Sequence, residues 1–262
     1  MNNKPPRMPV VFFGHGSPMN AIQNNAHTQA WRRIGAGVPR PRAVLMISAH
    51  WYTQGTLVQA SPLPRTIHDF GGFPRELFEV RYPAPGDPAL ARRVQDLLKP
   101  LAAEPDHDWG LDHGTWSVLV HAFPGADVPV VQLSMDATQS NAHHYEVGRK
   151  LAALRDEGVL IAGSGNVVHN LRAINPGGEP APWAVRFEAL VREQIERGQH
   201  APLVDYPKLG ADARMAVPTP EHFLPLLYVL GAQLPGDVPQ FHADSVDLGS
   251  IGMLSVVLGK PR

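Results

Sequence analysis

Pro9-Val-Val-Phe-Phe-Gly14 runs straight into His15-Gly-Ser-Pro18, and Ala43-Val-Leu-Met-Ile-Ser-Ala-His50 repeats the arrangement: an unbroken apolar run that stops at a histidine. Apolar runs this short, with little polar alternation, are the pattern of strands covered on both faces. Two more follow, Val128-Pro-Val-Val-Gln-Leu-Ser-Met135 and Val159-Leu-Ile-Ala-Gly-Ser-Gly-Asn166. Helical patterns lie between them. Asp87-Pro-Ala-Leu-Ala-Arg-Arg-Val-Gln-Asp-Leu-Leu98 offers an N-cap, a proline at the first helical position and apolar residues at helical spacing, and Asn141 to Leu154 and Ala181 to Glu196 are similar. The alternation predicts an α/β fold, a single domain with a largely parallel central sheet flanked by helices. Gln240 to Leu258 is richer in alternating and β-branched residues and is expected to add edge strands. Gly55 to Pro85 reads as strand and loop without a helix, a lid or hairpin over one end of the sheet.

The 262 residues contain no internal repeat, low-complexity tract or clear linker, and the 27 prolines and 24 glycines are spread throughout. With 23 basic and 24 acidic residues the net charge is -1, which leaves no electrostatic footprint for nucleic acid or an anionic membrane. Cysteine is absent, which excludes disulfides, thiolate zinc sites, iron–sulfur clusters and cysteine nucleophiles. The start, Met1-Asn-Asn-Lys-Pro-Pro-Arg-Met8, lacks the long apolar core of a signal peptide. No apolar run approaches the roughly 20 residues that span a bilayer. The expectation is a cytoplasmic globular protein with neither a nucleic-acid nor a membrane partner; a monomer and a homo-oligomer are both compatible with it.

The 13 histidines are the unusual feature. Without thiols, any transition-metal site must use imidazole and carboxylate. Ligands of open α/β folds bind beyond the C-terminal ends of the strands, and His15, His50 and His169 all fall at, or a few residues after, such an end. His113 lies in Asp112-His-Gly-Thr-Trp116, where Asp112 or Thr115 can cap a following helix. In Pro218-Thr-Pro-Glu-His-Phe223, Thr219 can N-cap and Pro220 can open a helix, so Glu221 and His222 are expected in its first turn. Glu221 there has a favourable place at the positive helix end that needs no metal, which makes His222 the better ligand candidate. Three neutral imidazoles from His15, His50 and His222 suit Fe(II) or Zn(II) with open positions, unlike an oxygen cage for calcium. Asp69 and Asp112 are candidates to fix an imidazole tautomer. Gly163-Ser-Gly165 is only a weak phosphate-turn signal, with no lysine beside it. Histidines 27, 68, 107, 121, 143, 144, 200 and 242 read as surface or packing residues.

Taken together and in order, Gly14-His-Gly-Ser-Pro18, Ser48-Ala-His-Trp51, Asp112-His-Gly-Thr-Trp116, Gly163-Ser-Gly-Asn-Val-Val-His-Asn170 and Pro218-Thr-Pro-Glu-His-Phe223 resemble the class III extradiol ring-cleavage dioxygenase superfamily (protocatechuate 4,5-dioxygenase-like), and within it the 4,5-DOPA extradiol dioxygenase branch. The resemblance implies a single catalytic domain over residues 1–262 that opens a DOPA-like catechol with O2 at a non-haem metal, Fe(II) for activity, with Zn(II) an alternative occupant in purified protein. By resemblance His15, His50 and His222 are metal ligands, His169 is a fourth ligand or the catalytic base, and His113 is a second catalytic histidine. Other members of the superfamily use a carboxylate as third ligand, and the aligned region here offers both Glu221 and His222.

For such a reaction His169 is assigned the second proton of the diol and His113 a hydrogen bond to an oxygen of the substrate or of the O2-derived group. Two other readings use the same residues: a zinc hydrolase, and a metal-binding or interaction protein on the same fold. Arg65, Arg75 and Arg81 in the expected lid are candidates for a substrate carboxylate, against the ordinary reading of solvated loop arginines.

Overall fold

In the structure, a computed structural model describing residues 6–260, alternate residues of the four apolar runs point to opposite faces of one sheet. The first five residues, read above for a signal peptide, and the last two lie outside the described residues. The elements are β1 (Val10–Gly14), α1 (Ala26–Gly37), β2 (Ala43–Thr53), β3 (Thr56–Gln59), α2 (Arg75–Glu79), α3 (Pro88–Leu98), β4 (Ala103–Asp106), α4 (His113–Ala122), β5 (Val130–Asp136), α5 (Asn141–Leu151) and β6 (Val159–Gly165). They continue with α6 (Pro182–Glu196), α7 (His200–Val204), α8 (Ala211–Ala216), α9 (Leu224–Gly231), β7 (Val238–Ala243), β8 (Val246–Asp247), β9 (Ile251–Gly252) and β10 (Ser255–Gly259).

The main sheet has the order β4-β3-β5-β2-β6-β1-β10-β7. Its centre, β5-β2-β6-β1, is parallel throughout, while β3 on one side and β10 on the other run antiparallel to it, and β7 pairs antiparallel with β10 at the edge. The expected edge strands near the C-terminus are therefore present. Val10, Phe12, Leu45, Ile47, Leu133 and Ile161 face one core, covered by α3, α5, α6 and α9. Val11, Phe13, Val44, Met46, Val130 and Leu160 face the other, covered by α1 and α4. Burial on both faces is why these strands carry no polar alternation.

Gly55 to Pro85 departs from its reading in two ways. β3 belongs to the main sheet, and α2 is a short helix where none was expected. Five residues opening at Pro74 without a side-chain cap are too few to show a helical period. The strand at His50 is also longer than its apolar run: β2 continues to Thr53, but its pairing with β6 ends at Ser48 and its pairing with β5 is irregular between Ile47 and Tyr52. His50 sits in that break. Trp51, next to it, is buried in a parallel stack on Trp109 with ring centroids 5.6 Å apart.

Beneath the β8–β9 hairpin, α6 buries Glu188 without a charged partner. Burial above all, with Asp244 and Asp247 nearby and against a weaker pull from the Leu254 backbone, pushes its carboxyl from an ordinary 4.5 up to about 8. Between those values the folded protein holds a proton that the unfolded chain has released. The stability contribution of this group therefore falls as pH rises through that window and levels off above it. Glu188→Gln, which cannot titrate, should become more stable relative to the parent between about pH 5 and about pH 8.5, by up to a few kcal/mol. Denaturant titrations across that range check this, and a pH-independent difference would refute it.

Candidate active site

Four of the candidate histidines reach the C-terminal edge of the parallel strands by separate routes. His15 directly follows β1, and its N–H donates to the Gly165 carbonyl at the end of β6 (3.1 Å). His50 comes from the break in β2. His169 follows β6, its N–H held by the Ala216 carbonyl (2.8 Å). His113 is the first residue of α4, whose N-cap is Asp112, accepting from Thr115 N–H.

His222 arrives differently from its reading. The helix begins at Leu224, so Glu221 and His222 lie in the turn before it and not in its first turn. A helix opening at Pro220 would place Pro225 in its interior, where the ring lacks an N–H and clashes with the carbonyl four residues back. Starting at Leu224 puts Pro225 in the first turn, where it is tolerated. The turn lies directly on β6: Asn166 N–H donates to the His222 carbonyl (2.8 Å), and any Cβ on Gly165 would collide with that same oxygen. The glycines of Gly163-Ser-Gly165 thus serve close packing inside a strand, not a phosphate turn.

One nitrogen from each of His15, His50 and His222 lies within 4.8 Å of the others. His15 Nε2 and His50 Nε2 are 3.1 Å apart. The remaining contacts set the tautomers of His15 and His222. Ser164 Oγ donates to the Gly114 carbonyl (2.5 Å), so it accepts from His15 Nδ1–H (3.0 Å), and His15 Nε2 carries a lone pair. His222 Nδ1–H donates to Glu221 Oε1 (3.3 Å), and Thr219 Oγ1 donates to the same oxygen (2.8 Å). His50 Nδ1 lies 3.6 Å from Asp69 Oδ2, too far for a hydrogen bond. The Nε2 lone pairs of His15 and His222 converge with a nitrogen of His50, as they would around a cation. Two donors at about 2.0–2.1 Å from one tetrahedral ion lie roughly 3.3 Å apart, close to what is found. The donor set fits a transition metal.

Charge is suppressed at all of these rings. Burial, followed by the neighbouring histidines, lowers His15 and His222 well below the ordinary imidazole value. Burial and His113 push His50 down to about 3, and burial pushes His169 down to about 4. His169 stacks on His222, rings nearly parallel and 3.5 Å apart, and belongs with Glu221 and His222 in a ligand-capable group that shares His222 with the three-histidine cluster, as a third group, His50, Asp69 and His113, shares His50. His113 stands 3.8 Å from the His50 ring and bonds through Nδ1 to Asp69 Oδ2 (2.9 Å), while its N–H donates to Asp69 Oδ1 (2.8 Å). Burial, the largest single influence, works against ionisation of Asp69, but the side-chain and backbone hydrogen bonds from His113 and the nearby His113 and His50 rings together outweigh it and hold the carboxyl below the usual range.

Asp69 thus orients His113, whereas Asp112 makes no hydrogen bond to a histidine. Its carboxylate is taken by Ser48 Oγ (2.6 Å), Gln132 Nε2 (2.7 Å) and its own helix cap.

The five histidines open into a cavity of about 380 Å³, whose other walls include Phe70, Phe73, Leu171, Ile174, Leu248 and Ile251. That is the size of a small-molecule site. Arg65, Arg75 and Arg81 do not line it; Arg75 pairs with Glu79, and Arg81 donates to the carbonyls of Phe78 and Val80. None of the eight remaining histidines lines it either; His27 pairs with Asp247 and His144 with the Tyr228 hydroxyl. Sequence reading missed Ser164 and the apolar wall. Ser164 sits in a run read for its glycines, and the wall residues are scattered apolar positions with no spacing to mark them.

Residues 8–259 match the family model described as the catalytic LigB subunit of aromatic ring-opening dioxygenase. The chain is 50% identical over 263 aligned positions to the 4,5-DOPA dioxygenase extradiol of Escherichia coli K12, covering 97% of this chain and 95% of that one. It is 39% identical to the protein of the same name from Beta vulgaris, covering 85% and 86%. The crystal structure of an uncharacterized protein from Escherichia coli K12 superposes with a TM-score of 0.85 at 45% identity, covering 97% of this chain and all of that one.

Removing the hydroxyl that fixes the His15 tautomer tests the geometry. Ser164→Ala should weaken zinc or iron(II) binding by about 10–100-fold with the fold intact, read by competition with a chromogenic chelator. Unchanged affinity would show that the Ser164 contact does not orient the ligand.

Proposed function

The chain belongs to the family of the catalytic LigB subunit of aromatic ring-opening dioxygenase, and from that membership we propose that it cleaves a DOPA-like catechol beside its diol with O2, at one non-haem metal held by His15, His50 and His222. The observation that carries the assignment is the convergence of Nε2 lone pairs fixed by Ser164 and Glu221. We assign Fe(II) to the active enzyme and Zn(II) to protein purified in air, because iron(II) oxidises and zinc binds such ligands more tightly. When bound, the metal supplies redox capacity, open coordination positions and a lowered pKa for a diol hydroxyl. Family membership disfavours a zinc hydrolase or a non-enzymatic binding protein.

The chain's own groups do the rest. The His169 ring lines the cavity without a hydrogen bond to the protein, and burial keeps it uncharged. It is therefore free to take the second diol proton, and the negative charge of the diolate beside it raises its proton affinity. His113 donates through Nδ1 to Asp69 and leaves Nε2 for an oxygen of the substrate. The apolar walls exclude water and pack the ring. Both atoms of O2 end in the product as the ring carbon–carbon bond breaks, giving an aldehyde and an acid. His222 is our third ligand, with Glu221 as the acceptor that orients it. We assign residues 1–262 to one catalytic domain and, with a cysteine-free sequence, place it in the cytoplasm.

Protein reconstituted anaerobically with Fe(II) should consume one O2 per catechol and form a yellow semialdehyde; hydrolysis of esters with zinc and no O2 uptake would refute the reading. His15→Ala, His50→Ala and His222→Gln should lose metal by elemental analysis, whereas Glu221→Gln should retain most of it. Metal loss in the Glu221 variant with the His222 variant intact would restore a carboxylate ligand.

His169→Ala should keep its metal and lower turnover by about 10²–10⁴ with a smaller change in catechol affinity. Near-parental turnover at full metal occupancy would remove His169 from the proton path.

A further inference from the structure

His15 and His222 bring their rings to one cluster from nearly opposite ends of the chain. Their ring centroids are 5.3 Å apart. What joins the two segments is Asn166, the first residue after β6, which is 1% exposed. Its backbone N–H donates to the His222 carbonyl (2.8 Å). Its Oδ1 accepts from Gly16 N–H (3.3 Å), and its Nδ2 donates to the Gly252 carbonyl (2.8 Å). These partners dictate the orientation of the amide. An N–H on one side requires the oxygen and a C=O on the other requires the nitrogen, so a flip would break both bonds.

The bond to Gly16 holds a turn that the local sequence does not fix. Gly16 has φ of 59°, in the left-handed region, and a Cβ there would overlap the Met253 sulfur. Glycine reaches this conformation at no steric cost but leaves it as easily, so contacts must hold it. Two more bonds tie the same stretch: His15 N–H to the Gly165 carbonyl, and Asn20 Nδ2 to the His15 carbonyl (3.1 Å). Three consecutive backbone groups around the His15 ring are therefore engaged, one of them by Asn166. On the far side, β9 anchors the amide, and it is itself held to the segment after β6 by Gly252 N–H on the Val168 carbonyl (2.8 Å), beside His169.

We propose that Asn166 is a positioning residue of the metal centre: bonded to Gly16 and to the His222 carbonyl, it sets the separation of the His15 and His222 rings, and with it the geometry in which a divalent metal is bound. Ser164 and Glu221 select the nitrogen that faces inward, and Asn166 selects how far apart the two rings stand. A site of this kind needs its donors held to within about 0.5 Å, which a glycine turn without a partner does not provide. The inference rests on His15 and His222 being the ligands, and it is independent of which catechol is cleaved.

The bond to His222 comes from the backbone and survives any substitution, so side-chain variants test the Gly16 half of the link. Asn166→Ala loses both side-chain bonds; Asn166→Ser is too short for either and stands in if the alanine protein does not fold. Asn166→Asp keeps an acceptor for Gly16 N–H and loses only the donor to Gly252. The probe is cobalt(II), whose visible absorption reports coordination number and geometry. Asn166→Ala should bind it about 10–100-fold more weakly in competition with a chelator, with an altered spectrum. Asn166→Asp should recover most of the parental spectrum. Asp87→Ala, which removes the N-cap of α3 away from the site, should lose stability in denaturant with cobalt binding unchanged, so instability alone does not reproduce the effect. A folded Asn166→Ala protein with parental affinity and spectrum would overturn the proposal. So would an aspartate variant as impaired as the alanine one, because the Gly252 bond would then be responsible. A parent that binds cobalt(II) but, loaded with iron, takes up no O2 with any catechol would defeat the ring-cleavage reading alone, and the cobalt comparison would still decide the role of Asn166. A parent that binds no cobalt(II) would overturn both.

Discussion

Five imidazoles share one end of one cavity, and each loses hydration on being placed there. A proton on His15, His50, His169 or His222 would be opposed by burial and by the neighbouring rings, so these four are held uncharged. That suppression leaves the Nε2 lone pair of His15 facing His50 Nε2 at 3.1 Å. A single divalent cation held by these rings would draw such lone pairs together. The remaining features of the site serve to hold the rings in this otherwise unfavourable arrangement.

The parallel centre of the sheet supplies the platform, because the C-terminal ends of β1, β2 and β6 necessarily lie side by side. Close backbone approach supplies the precision. The His222 turn seats on β6 only because Gly165 has no Cβ, and α4 can bring His113 against His50 only because Gly114 leaves room for Ser48 and the His50 ring. Partners on the Nδ1 side, Ser164, Asp69 and Glu221, fix which nitrogen faces inward. Histidine ligands lacking such partners would be free to rotate or change tautomer, at a cost in metal affinity.

The cavity has two unlike ends: five histidines gather at the buried one, and apolar side chains line the other. The arginines of the 55–85 segment do not line it: Arg75 and Arg81 are engaged with Glu79 and with local carbonyls, away from the wall. The segment contributes Asp69, Phe70 and Phe73 instead, residues that are individually unremarkable in a loop.

The sequence by itself determined the four central strands, their burial on both faces and the placement of His15, His50 and His169 at a common edge, because apolar strand runs are local and their alternation with helices makes the strands run the same way. It also determined that any metal must be met by imidazole or carboxylate, since there is no thiol. The helix start at Leu224, the burial of Trp51 against Trp109 and the engagement of Asp112 with Ser48 and Gln132 were decided only by tertiary structure. So were the contacts that select the nitrogens: Ser164 lies 149 residues from His15, and Asp69 lies 44 residues from His113. Hydrogen bonds at such separations leave no periodicity to read, because they depend on which chain segments the packed sheet brings within 3 Å and not on what either segment prefers alone.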